Sequence, residues 1–170
     1  VVGVDNVYYA MITQDDANGF VVGSPSPLVP AMNLKSTPNS SAETQYADNG
    51  PYDNVGSEGV TELELEAPNW PESVLATLKG AAYDSATGRV FDNADPAQAP
   101  YFALGYRFKK SNGHYRYRWY LKCRLVPPGE EGASQGEKVQ LKTQTVKINC
   151  LKTIYKWALT GSLTDGVKRV

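Results

Sequence analysis

YFALGYRFKKSNGHYRYRWYLKCR, Tyr101–Arg124, is the clearest structural signal in the chain. Two alternating runs, Tyr101–Lys110 and Tyr115–Arg124, flank Ser111-Asn112-Gly113-His114. An Asn-Gly pair between two such runs is the strongest short-range hairpin signal. In the first run Phe102, Leu104, Tyr106 and Phe108 share a face. In the second, strict alternation puts Tyr115, Tyr117, Trp119, Leu121 and Cys123 on one face and Arg116, Arg118, Lys122 and Arg124 on the other. The expectation is an antiparallel pair with an aromatic core face and a basic outer face.

Upstream, Thr61–Glu66 (TELELE) alternates just as strictly. Leu63 and Leu65 must meet a core; Glu62, Glu64 and Glu66 must meet water or cations. Val4–Thr13 and Gly19–Gly23 read as the first two strands, with a turn at Asp15, Asp16 and Asn18 between them. The prolines of Ser24–Pro30 impose an extended, irregular connection. Met32–Ser36 and Ser41–Ala47 read as strands, and residues 48–59 (DNGPYDNVGSEG) as a long polar loop. One helix is expected after Asn69, with Asn69 as N-cap, Glu72 completing a capping-box-like pair, Val74, Leu75 and Leu78 on its apolar face, and Gly80 as its stop. Beyond the hairpin, residues 127–137 read as a loop, with strands at Lys138–Asn149 and Leu151–Leu159. Roughly eight strands and one helix predict a mainly β domain spanning 1–170: a two-sheet β-sandwich or flattened barrel with the helix against one side. Arms are expected at 1–3 and 161–170.

The 170 residues carry a formal net charge of −1, with 41% hydrophobic residues and 11 tyrosines. The charge is unevenly spread. Residues 1–100 hold 3 Lys/Arg and 14 Asp/Glu, net −11; residues 101–170 hold 14 and 4, net +10. This fits acidic strands beside basic ones within a domain, and equally an acidic face on one copy meeting a basic face on the next. No stretch approaches the ~18–20 apolar residues of a membrane-crossing helix, and the start shows no basic-then-apolar leader. Cys123 and Cys150 each lie in a strand-like run, and free, buried thiols are expected in preference to a disulfide.

Chemistry is hard to place on this chain. His114, the only histidine, sits at the hairpin tip, and no nucleophile, phosphate-loop, zinc or dinucleotide motif is present. The TELELE carboxylates stand about 6.5–7 Å apart along one strand, a spacing that a solvated face shares with a glycosidase pair. Asp15, Asp16 and Asn18 lack the glutamate that closes a calcium loop. No enzyme activity, cofactor or metal is expected. Interleaved Tyr, Trp, Arg and Lys also suggest a nucleic-acid- or glycan-binding β module, although alternation separates those aromatics from the cations.

The order of segments resembles the phi13-type major tail proteins, the tail-tube subunits of long-tailed bacteriophages. The matching pieces are GVDNVYYA, QYADNGPYDN, EGVTELELE leading to a helix ending LKGAAYD, APYFALGYRFKKSNGHYRYRWYLKCRLVPP, and QTVKIN, from about Val4 to Trp157. The resemblance implies a tail-tube β-sandwich, hexameric rings stacked into a tube, and transient passage of double-stranded DNA through the lumen during ejection. It implies partners among other tail proteins such as tape measure and terminator, no membrane, and a virion protein assembled in the bacterial host cytoplasm. On that footing Glu62, Glu64 and Glu66, with Glu43 on the neighbouring strand, are expected to line the lumen and repel phosphate. Asp48, Asn49, Tyr52, Asp53, Asn54 and Glu58 are expected to make ring-to-ring contacts, and Arg116, Arg118, Lys122 and Arg124 to form a basic face for subunit contacts.

Overall fold

The hairpin forms where the sequence places it. β8 (Phe102–Lys109) and β9 (Tyr115–Leu125) pair antiparallel. The turn is not the two-residue type an Asn-Gly pair suggests. The Gly113 amide donates to Lys110 O (3.1 Å) and the Lys110 amide to His114 O (2.8 Å), with Gly113 alone left-handed at φ 82°. This is a three-residue loop closed by a glycine bulge. The computed structural model describes residues 2–47, 50–92, 99–129, 143–157 and 168–170, and side chains in 42–57 lie outside what it describes.

Around this hairpin the remaining strands are β1 (Gly3–Asp15), β2 (Phe20–Val22), β3 (Ser26–Pro27), β4 (Asn33–Ala47), β5 (Gly50–Ala67), β6 (Ala82–Asp84), β7 (Arg89–Phe91) and β10 (Gln144–Leu151); the helix α1 spans Glu72–Lys79. The chain is mainly β with two unequal sheets. One has eight strands in the order β2-β1-β8-β9-β10-β5-β4, with β3 also on β1; the other is the β6–β7 hairpin. One face of the large sheet carries the core. Leu63 and Leu65 of β5, Val146, Ile148 and Cys150 of β10, Tyr120, Cys123 and Leu125 of β9, and Phe102 and Leu104 of β8 are buried together with Leu75 and Leu78 of α1. Trp70 joins them, its indole N–H donating to Gln144 O at 3.2 Å.

Several expectations are corrected. The helix is capped by Pro71 with no side-chain hydrogen bond, so Asn69 does not serve, whereas Gly80 ends it at φ 78° as expected. Residues 50–59 are strand, not loop: β4 and β5 form one antiparallel ribbon from Asn33↔Glu66 to Ala47↔Gly50. Polar, Gly-rich sequence misleads here because a pair of strands without a third strand beside it is not required to carry an apolar period. Residues 152–157 do not continue β10 as a strand; within them Lys156 alone makes a β-bridge. Neither end of the chain is a free arm in its described part. The Val2 amide donates to Lys109 O, continuing the β1–β8 pairing, and Lys168–Val170 pair with Trp119–Leu121 of β9, beside the stretch that β10 covers. Residues 138–142 and 158–167 lie outside the described residues.

Two bulges set the faces of the sheet. In β1, register shifts between Asp5 and Tyr8, and Asn6 is left-handed at φ 50°. In β9, Tyr120 opposes Leu104 but Cys123 opposes Phe102, so Leu121 and Lys122 share one position. The extra residue turns Lys122 to the side opposite Cys123, where it meets Asp15. Their ion pair is 2.6 Å long, with side-chain exposures of 9% and 7%. The same carboxylate accepts the amides of Ile154 (2.9 Å) and Tyr155 (3.0 Å), which fastens the segment after β10 to β1. Burial pushes the Asp15 carboxyl up, but the Lys122 ammonium and the two amides outweigh it and hold the group below its ordinary value.

Asp15→Asn keeps the size and removes the charge. It should cost about 3 kcal/mol by urea denaturation at pH 7, because a buried ammonium loses its partner. The folded pKa is depressed, so the contribution is complete above the unfolded value of about 4 and is lost as pH falls through the folded value. The variant's stability should therefore vary less than that of the wild type over this range. A variant as stable as the wild type at pH 7 would show that the pair does not hold the segment.

Candidate assembly surfaces

The first surface is the face of β5 that carries Glu62, Glu64 and Glu66. Register places Lys35 of β4 and Lys147 of β10 on either side of Glu64. Lys147 Nζ lies 3.2 Å from Glu62 and 3.6 Å from Glu64, and Lys35 lies 3.7 Å from Glu64. The Thr143 hydroxyl donates to Glu66 at 2.6 Å. Hydrogen bonding to Glu62, reinforced by the charges of both carboxylates, raises the Lys147 ammonium above its usual value. The row points away from the core but is not a bare acidic stripe. Three carboxylates share it with two lysines. These pairs are solvent-accessible and individually contribute little to stability. Glu43 lies on β4 opposite Val55 in register; its side chain lies outside the described residues.

The second surface is the β4–β5 ribbon. β10 pairs β5 only over Thr61–Ala67, so residues 40–47 and 50–58 have no third strand among the described residues. Eight residues of strand carry the ribbon about 25 Å past the sheet. Tyr52, Asp53 and Asn54 belong to its β5 arm by backbone pairing, whereas Asp48 and Asn49 lie outside the described residues. Glu58 stands at its base. There Lys168, a side chain only 9% exposed, donates to Glu58 (3.0 Å), Gly59 O (2.6 Å) and Thr61 (3.2 Å). The Lys168 hydrogen bond and charge hold Glu58 below its ordinary value. No signal in the sequence marks Lys168 for this role.

The expected basic face does not exist as one face. Arg116 and Arg118 oppose Phe108 and Tyr106 in register, on the core side of the sheet. The bulge sends Lys122 and Arg124 to the other side, where both cations lie over the Tyr101 ring, at 4.7 and 4.1 Å. The expected aromatic core face of β9 is corrected by the same parity: Tyr120 is buried, while Tyr115 and Tyr117 are exposed. They share their side with Arg107 and Lys109 of β8. Arg107 is held bidentate by Asp5 (2.6 and 2.9 Å) and stacks on Tyr115 at 4.2 Å. Trp119 lies over Gly105 so closely that a Cβ there would clash with its ring.

Cys123 and Cys150 oppose one another across β9 and β10, with their Sγ atoms 3.2 Å apart, both free and fully buried. Burial pushes the Cys123 thiol well up, which suppresses the reactive thiolate. In the native chain neither thiol should react with an aromatic disulfide reagent within minutes, and both should react in denaturant. A native-state titration that consumes both would contradict this packing.

Among the described residues no group of three or more His, Cys, Asp or Glu could hold a metal ion, and no helix is long and apolar enough to cross a membrane. Compared with known proteins, the chain matches no family model and no curated sequence.

Proposed function

We propose that the chain is a structural, non-enzymatic subunit that assembles with copies of itself, of the tail-tube type that its segment order resembles. The observation that carries this reading is the β4–β5 ribbon, a two-stranded projection with no third strand among the described residues. Such a hairpin is marginal alone in water and gains stability once a partner covers it. Its sequence from Asn39 to Gly59 holds Glu43, Asp48, Asp53 and Glu58 and no Lys or Arg, so a copy with exposed cations suits it. In this reading the β-sandwich is of the tail-tube type, six copies form a ring, and the rings stack into the tail of a virion. The ribbon contacts the next ring, tape measure and terminator proteins are its tail partners, and double-stranded DNA passes through the channel. The face of Glu62, Glu64 and Glu66 lines that channel. Laced with Lys35 and Lys147, it is a weakly acidic wall, which disfavours retention of phosphate by offering few free cations.

Purified protein should form large assemblies by light scattering, and a variant with residues 43–55 replaced by a two-residue turn should stay small while keeping its β signature by circular dichroism. A shortened chain that assembles like the wild type would remove the ribbon from the assembly contact.

One observation favours a second reading, a nucleic-acid- or glycan-binding module. Exposed Tyr115 and Tyr117 share a side with Arg107 and Lys109, the arrangement that a stacking platform needs. Arg107 is already neutralised by Asp5, which leaves little charge for a phosphate chain. On this reading the monomer would bind an oligonucleotide with a steep salt dependence, and Tyr117→Ala would weaken binding about tenfold.

A further inference from the structure

The tip of the β8–β9 hairpin has a second side. Phe108, Lys110, Ser111, Asn112 and Arg116 line a notch of about 260 Å³. Its floor is the half-buried Phe108 ring, Lys110 is half-buried and Arg116 is exposed. Phe108 and Arg116 are opposite one another in register, which fixes the cation beside the ring. Ser111 and Asn112 add hydroxyl and amide groups. The lining contains two cations and no carboxylate. A small apolar floor rimmed by an ammonium, a guanidinium and neutral donors is the chemistry that accepts a carboxylate carried on an extended peptide.

We propose that this notch is the receptor for the acidic β4–β5 ribbon of a second copy of the chain. The inference rests on the self-assembling reading and names the surface that meets the ribbon. Charge complementarity selects the occupant. The ribbon carries acids and no bases, and the notch carries bases and no acid. The two cannot meet within one copy by local pairing, because β4 and β5 lie at one edge of the sheet, separated from β8 by β10 and β9. A contact between unlike surfaces of identical copies is heterologous and propagates, closing into rings or continuing as stacks. Backbone register sets Glu43 opposite Val55 and Gln45 opposite Asp53, so both acids lie within two residue pairs along the ribbon.

The test is a charge swap in the full chain. Lys110→Glu/Arg116→Glu should raise the protein concentration needed for assembly at least tenfold by sedimentation velocity, as should Glu43→Lys/Asp53→Lys. All four substitutions together should restore assembly to within about twofold of wild type. Lys110→Ala/Arg116→Ala, which adds no new repulsion, should give a smaller shift in the same direction, and circular dichroism checks that each variant is folded. If the notch variants assemble as the wild type does, the inference fails and the self-assembling reading stands. If each pair blocks assembly but the combination does not restore it, the ribbon is not the partner of the notch. A wild-type chain that stays monomeric at every concentration overturns both.

Discussion

Between Tyr120 and Cys123, β9 has one residue more than the strand it pairs with, and the two faces of β9 follow from that residue. Before the bulge, even-numbered side chains look toward the core; after it, odd-numbered ones do. Cys123 is thereby set against Cys150 in the dry interior, and Lys122 is sent to the far side, where Asp15 receives it. Asp15 also collects the amides of Ile154 and Tyr155, so one local irregularity also fixes the path of the chain after β10. A buried ion pair alone is weak evidence for stability. Here its two extra amide donors satisfy the carboxylate and explain why the charge is tolerated at that depth.

The second constraint is the imbalance between the two ends of the sheet. On the β1–β8–β9 side, the edge of β9 left open by β10 is filled by Lys168–Val170, and β2 and β3 both pair with β1. On the other side β4 is an edge strand of 15 residues whose outer half lies beyond the reach of β10. Long exposed edges invite pairing or association, and Pro38 within β4 is the kind of residue that limits uncontrolled pairing there. Lys168 ties the closed end to the base of the projecting one through Glu58 and Gly59. The ribbon therefore starts from a firm footing.

What is legible in the sequence follows the same physics. The Tyr101–Arg124 hairpin and the TELELE strand are readable because one face of each is buried and imposes a period of two. Gly80 ends the helix as a left-handed residue should, but the cap falls on Pro71 and not on Asn69. The faces of β9 escape the sequence because alternation counts residues and a bulge adds one without changing composition. Residues 50–59 resemble a loop because nothing in a two-stranded ribbon demands an apolar stripe. The run after Leu151 resembles a strand because Ile154, Tyr155 and Trp157 are strand-like residues; the amide of Ile154 is instead taken by Asp15, a partner 139 residues away. Of the candidate surfaces, the glutamate row is legible and its lysine partners are not. The notch at Lys110 and Arg116 emerges only once the register of two strands is known.

On the proposal that this β domain joins copies of itself end to end, negative-stain electron microscopy of the purified wild-type chain at increasing concentration is the decisive observation. Hollow rings or tubes with a central channel are the predicted result; a uniform field of particles the size of one 18.5 kDa chain at every concentration would contradict it.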